Sequence, residues 1–132
     1  MAKMTQDVRD VLGGQKMLPL ATSDSSGKPN VAFITYWKIL DDETILIVEN
    51  FMNKTRKNLE KNPRAAVVAY RSEPKKSYQL KGTVRFETSG RMFEEAKAMA
   101  AAKKAPGKSA VIFRVEEIYD SSPGPKAGER IA

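Results

Sequence analysis

The 132-residue chain suits one domain, residues 1–132, with enough length to build a core, and it is short enough that a second copy would usefully bury more surface. It contains no cysteine and no histidine, which excludes disulfides, thiol nucleophiles, imidazole general bases and thiolate or imidazole zinc sites built from this chain alone. A formal net charge of +7 favours an anionic partner, whether nucleic acid, a phosphorylated cofactor or an acidic protein surface, and Lys and Arg are spread along the chain rather than gathered in a tail. Difficult chemistry would therefore belong to a cofactor.

No apolar run is long enough to cross a bilayer, and Met1-Ala2-Lys3-Met4-Thr5-Gln6 lacks the apolar stretch of a signal peptide, so a cytoplasmic protein is expected. Thr5 can cap a short helix through Leu12, with Val8, Val11 and Leu12 on one apolar face and Gly13-Gly14 as its stop. Met17–Thr22 forms a first strand, and Pro19 suggests a sheet edge or a bulge. Asp24–Pro29 is a turn. Val31–Leu40 forms a second strand that is apolar on both faces: Val31, Phe33, Thr35, Trp37 and Ile39 on one, Ala32, Ile34, Tyr36 and Leu40 on the other, with Lys38 interrupting. An antiparallel strand normally turns one face to water, so the second apolar face asks for a ligand, a helix or another subunit. Asp41-Asp42-Glu43 turns the chain into a third strand, Thr44–Glu49.

The segment from Phe51 to Pro63 carries the most chemistry. Asn53 is a candidate N-cap, Lys54, Arg56 and Lys57 bring charge to the first helical turn, and Thr55 brings a hydroxyl. A first turn has N–H groups without partners and a partial positive charge, so the pattern is suited to a phosphate. Pro63 ends the helix. A fourth strand, Arg64–Tyr70, follows, and a polar loop over residues 72–77 leads to a clearly alternating strand, with Tyr78, Leu80, Gly82, Val84 and Phe86 on its apolar face. Gly82 marks a bend or a close backbone approach. After Ser89-Gly90, a helix runs to about Lys104 with Met92, Phe93, Ala96, Met99 and Ala100 on one stripe, and Ala110–Val115 is the last strand. The tail, residues 121–132, opens with linker-like Ser, Pro and Gly and is expected to be loose.

Six strands joined by short connections predict a mainly β protein, a six-stranded antiparallel barrel with short flanking helices, because closure removes exposed edges. This order of elements resembles the FMN-binding split barrel of the pyridoxamine-phosphate-oxidase-like superfamily, and in particular its short FMN-binding proteins. The likeness runs from about Met17 to Tyr119 and is most specific at Met52-Asn53-Lys54-Thr55-Arg56-Lys57-Asn58-Leu59, Asn62-Pro63-Arg64 and Leu80-Lys81-Gly82-Thr83-Val84. The resemblance implies that Asn53, Lys54 and Thr55 hold the FMN phosphate and that Phe33, Ile34, Thr35 and Tyr36 run beside the isoalloxazine. It implies a homodimer with the flavin in the groove between subunits, the dimer covering the other apolar face, and Lys81 and Thr83 as further contacts.

The expected protein is thus a noncovalent FMN-binding oxidoreductase or electron-transfer protein, its substrate and redox partner unidentified. No catalytic side chain stands out. The chain departs from the pyridoxamine-phosphate oxidases themselves, which carry a C-terminal substrate-binding segment with arginine and histidine; vitamin B6 oxidation is not expected. Lack of His also speaks against usual haem ligation, whereas the deazaflavin F420, with a phosphate and a tricyclic ring, stays an alternative. A basic barrel that binds nucleic acid through Tyr70, Tyr78 and Phe86 is another, disfavoured because Tyr78 and Phe86 share a face with Leu80 and Val84. A barrel that has lost its cofactor and serves as an interaction protein is a third.

Overall fold

A computed structural model describes residues 2–132, leaving only Met1 of the N-terminal segment outside. The elements are α1 (Gln6–Gly13), β1 (Leu18–Ser23), β2 (Pro29–Ile34), β3 (Trp37–Asp41), β4 (Thr44–Glu49), α2 (Lys54–Lys61), β5 (Arg64–Ser72), β6 (Lys75–Glu87), α3 (Arg91–Ala101), β7 (Ser109–Asp120) and β8 (Glu129–Arg130). All strand pairs are antiparallel, and the hydrogen-bonded order is β2-β1-β5-β6-β7-β4-β3, with β8 beside β7.

The two edge strands of this path, β2 and β3, are consecutive in the chain and joined only by Thr35 and Tyr36. In a flat sheet, they would stand six strand spacings apart, about 29 Å at about 4.8 Å each. The three Cα steps from Ile34 to Trp37 reach at most about 11 Å. The sheet must therefore curl until its edges meet, and the result is the expected split barrel. A bond from the Val48 N–H to the Tyr36 carbonyl, 3.0 Å, ties the junction to β4.

Eight strands are found where six are expected. The long apolar stretch Val31–Leu40 is two strands, and the chain reverses face between them. Ile34 of β2 and Trp37 and Ile39 of β3 pack on the barrel interior with Leu20, Ile47, Val67, Leu80 and Phe113. Tyr36 and Leu40 pack instead on an outer layer, where Ala96 and Ala100 of α3 cover Leu46, Val48, Ala110 and Ile112. Val31 and Phe33 have neither destination and are each 69% exposed. The two-faced hydrophobicity of the stretch thus resolves into interior, helix contact and an uncovered face.

The capped helix α1 forms as expected: Thr5 Oγ1 accepts from the Val8 N–H at 3.3 Å, and Val8, Val11 and Leu12 are buried. Tyr78 donates its hydroxyl to Asp7 and so fastens α1 to β6; burial, then this bond, raise the Tyr78 phenol above its ordinary range. The polar stretch 72–77, expected as a loop, is mostly strand, because the β5–β6 hairpin pairs up to Ser72 and Lys75.

The tail also acquires structure. Gly124 and Gly128 adopt positive φ, the chain turns, and β8 pairs with Tyr119 and Asp120. Ile131 N–H donates to the Ile118 carbonyl at 2.8 Å, and Ala132 packs on the core. A two-residue strand, Glu129-Arg130, has no alternation by which the sequence could reveal it. Bonds from the Ser122 N–H and, secondarily, its hydroxyl hold the Asp120 carboxyl below its ordinary 3.8. A carboxyl lowered in the folded state stabilises above its unfolded value and loses that contribution as pH falls through the folded one. Protection factors of the Gly128 and Ile131 amides should accordingly fall relative to that of Val84 once pH drops below about 3.8; equal changes at all three would contradict this anchoring.

Gly82 sits where β6 shifts register against β7, between Lys81 and Gly82. A Cβ there would lie 2.0 Å from the Arg114 carbonyl oxygen and 3.1 Å from the Phe113 ring, so the sequence signal of close approach is realised. Gly82→Ala should lower the unfolding free energy by about 1–3 kcal/mol or more, read by urea denaturation. Gly27→Ala offers no comparable clash, although its positive φ of 89° adds strain of its own.

Candidate functional site

A cleft of about 480 Å³ opens between edge strand β2 and the start of α2. Phe33, Ile34, Thr35 and Tyr36 line one side, and Asn53, Lys54 and Thr55 line the other. Two segments about twenty residues apart in sequence thus share one cleft. Because β2 pairs on one side only, with β1, alternate N–H and C=O groups of its other edge face away from the sheet. Val31 and Phe33 add exposed apolar surface, while Lys54 and Asn53 are exposed at the polar end.

Lys81 and Thr83 are not in this cleft. Lys81 lines a separate groove with Arg64, Gly82, Glu116 and Glu117, its ammonium 5.3 Å from the centre of the Tyr119 ring. Thr83 is half-buried in the sheet opposite Arg64 of β5 and Arg114 of β7. Strand alternation put both on a polar face but could not say which end of the curled sheet that face would border.

The start of α2 differs from the expectation in an informative way. Asn53 makes no capping bond with its side chain; its backbone, φ −126° and ψ −82°, is outside the extended geometry that aims a cap at the helix. The Asn53 carbonyl accepts from Lys57, yet the N–H groups of Lys54, Thr55 and Arg56 have no protein acceptor among the described residues. Three uncapped donors therefore face the end of the cleft where Lys54 adds a full charge.

Arg56 has a different role from the one its position suggested. Its Nη1 lies 2.5 Å from Glu49 Oε1, its Nε 3.4 Å from Glu60 Oε2, and its guanidinium stacks 3.9 Å from the centre of the Phe86 ring. Glu49 is 4% exposed and also accepts from Ser109 Oγ at 2.7 Å. Arg56 thereby joins α2 to β4, β6 and β7. Lys57 stays exposed without an ion pair among the described residues.

A second set of bonds fixes the other side of the helix. Thr22 Oγ1, buried in β1, accepts from Asn30 Nδ2 at 3.2 Å and from Asn58 Nδ2 at 3.1 Å. Asn30 Nδ2 also reaches Thr55 Oγ1 at 3.1 Å, and Asn62 Nδ2 donates to Ser23 Oγ at 3.0 Å. Thr55 is thus buried in a network that joins α2 to β1 and β2, and its hydroxyl oxygen already accepts one bond. None of Glu49, Ser109, Thr22 and Asn30 was singled out from sequence, because their partners lie 7 to 60 positions away and no local pattern marks them.

The curled sheet, with a cleft between its free edge and an uncapped helix, defines the split-barrel class of protein. The chain belongs to the pyridoxamine 5'-phosphate oxidase family, which residues 4–122 match. An uncharacterized protein of Methanocaldococcus jannaschii is 36% identical over 134 residues, covering 98% of this chain and 89% of that one. HupZ of Group A Streptococcus is similar in structure with a TM-score of 0.84 and 28% identity, covering 98% and 99% of the two chains. An FMN-binding protein of Syntrophomonas wolfei shares the fold with a TM-score of 0.76 and 19% identity over 88% of this chain and 84% of its own. The fold also extends to an F420 reductase and to a heme storage protein of Vibrio cholerae, at 16% and 14% identity, over 83% and 90% of this chain, and TM-scores of 0.64 and 0.62.

If Glu49 holds the helix start, its charge should matter more than that of Glu60, which is largely exposed. Glu49→Gln should cost about 1.5–3 kcal/mol of stability, and Glu60→Gln less than about 1 kcal/mol, measured by chemical denaturation. Equal costs would contradict the assigned anchor.

Proposed function

We propose that this protein binds FMN noncovalently in the cleft between β2 and α2 and works as an oxidoreductase or electron-transfer protein. The observation that carries this is the pairing, in one cleft, of uncapped helix N–H groups beside Lys54 with a half-paired apolar strand edge. The cleft volume is within the range of small-molecule sites. Its two ends match the two ends of such a cofactor. Lys54 and the N–H groups of Lys54, Thr55 and Arg56 would receive the phosphate, while Val31, Phe33 and the β2 edge would flank the ring, with backbone donors and acceptors for its polar rim. When bound, FMN would supply hydride or electron transfer; the chain's own contribution is to orient it and shield it from water.

F420 offers the same phosphate and a related ring, so it remains the competing ligand. Haem would lack an imidazole from this chain, which has no His. Nucleic-acid binding is not favoured, since Tyr78 is 4% exposed and Phe86 lies under Arg56, which leaves Tyr70 as the one exposed ring of the three. The uncovered Val31 and Phe33 face fits a homodimer that closes over the ring, which sedimentation equilibrium reads directly; a monomer at micromolar concentration would contradict it.

The phosphate assignment can be tested by comparing two ligands that differ only there. Lys54→Ala should weaken FMN binding on the order of tenfold, the scale of one charge-assisted hydrogen bond, and leave riboflavin binding unchanged. Equal losses for FMN and riboflavin would remove Lys54 from the phosphate site.

A further inference from the structure

The loop after α3 carries three cations whose placement the cleft does not use. Lys103, Lys104 and Lys108 are exposed and have no ion pair among the described residues. They belong to a stretch from Ala96 to Val115 that contains no Asp or Glu. Two bonds hold this loop against the rim of the cleft: Gly107 N–H donates to Asn50 Oδ1 at 2.8 Å, and Lys108 N–H donates to the Glu49 carbonyl at 2.8 Å. Asn50 lines the cleft, and the next residue, Phe51, is 82% exposed, more than any other large apolar side chain among the described residues.

Lys104 adds an independent observation. It has φ +57°, the one non-glycine residue in left-handed conformation among the described residues. The Ala105 N–H reaches back to the Ala100 carbonyl at 2.8 Å and the Lys104 N–H to the Ala101 carbonyl at 3.0 Å. This is a Schellman closure with lysine at the position that glycine fills without strain. A cation near a helix C-terminus gains from the macrodipole, but Lys103 already stands there without occupying a left-handed position.

We propose that Lys103, Lys104 and Lys108, with Phe51 at their edge, form a docking surface for an acidic electron-carrier protein, held at the mouth of the cleft. The partner's chemistry rests on the flavin assignment above; the surface itself does not. Lysines beside one exposed apolar side chain suit a carboxylate-rich protein surface approached by electrostatic steering, with a small apolar centre for contact. A single-stranded nucleic acid would call for successive aromatic platforms, and the loop carrying these lysines, residues 102–109, has no aromatic residue of its own, the exposed Phe33 and Phe51 standing on the cleft instead.

The test is binding of an acidic flavodoxin to the full chain by surface plasmon resonance, with the flavin content of the chain determined beforehand. Affinity should fall at least about tenfold between about 20 and 200 mM salt, as expected for screened surface charges. Lys103→Glu combined with Lys108→Glu should weaken binding at least about tenfold. Lys104→Gly separates docking from helix capping: it should raise the melting temperature by relieving the left-handed residue, yet weaken binding about threefold. Unchanged affinity in these variants, salt-insensitive binding, or a preference for a random oligonucleotide over flavodoxin would overturn the proposal. A chain that takes up no added FMN and still binds through these lysines supports the docking and contradicts only the cofactor. A flavin-loaded chain that ignores flavodoxin contradicts only the docking.

Discussion

The two-residue junction Thr35-Tyr36 is the constraint on which the rest of the molecule depends. It joins the outermost strands of a seven-strand path, so the sheet has to curl, and curling makes an interior for Leu20, Ile47, Leu80 and Phe113. It also reverses the inward face. Hydrophobic burial drives the closure, but the junction decides which side chains receive it. Ile34, Trp37 and Ile39 go inside, Tyr36 and Leu40 go under α3, and Val31 and Phe33 remain at the edge of the cleft. The apolar wall of the candidate site is therefore a consequence of how the barrel closes.

The polar end of the cleft follows from a different requirement. A helix start that is to receive an anion must keep its N–H groups free, and a free helix start is held only if the rest of the helix is fastened elsewhere. Here Arg56 bonds to Glu49 and stacks on Phe86 on one side, and Thr22, Asn30 and Asn58 interlock on the other. Both arrangements leave Lys54 outward. The cations of this helix thus divide: one maintains position, and another is available to a ligand. This division also explains why α2, strongly polar over its eight residues, is stable in place with little buried apolar surface beyond Leu59.

Much of this architecture is legible in the sequence. Alternation over Tyr78–Phe86 marks β6, the stripe Val8, Val11 and Leu12 marks α1, and Pro63 ends α2 close to where the helix stops. Phe33–Tyr36, marked by family resemblance, and Asn53–Thr55, marked also by the physics of a basic helix start, line one cleft in the fold. What escaped is nonlocal. The break at Thr35-Tyr36 is carried by no proline or glycine, so period-two alternation runs through it. Arg56 meets Glu49 only after β4 and α2 fold together, and Lys81 is separated from the cleft by the curl of the sheet. The Asn53 cap was inferred from residue type, whereas capping depends on a backbone geometry that this turn does not adopt.

Whether the cleft between β2 and α2 holds FMN is decided by a visible absorption spectrum of the purified protein, with the chromophore released by heat and identified by mass. The expected result is a yellow protein that releases FMN, or a colourless one that takes up added FMN with one site per chain. A chromophore with the mass of F420, or a colourless protein that binds no added FMN, would contradict it.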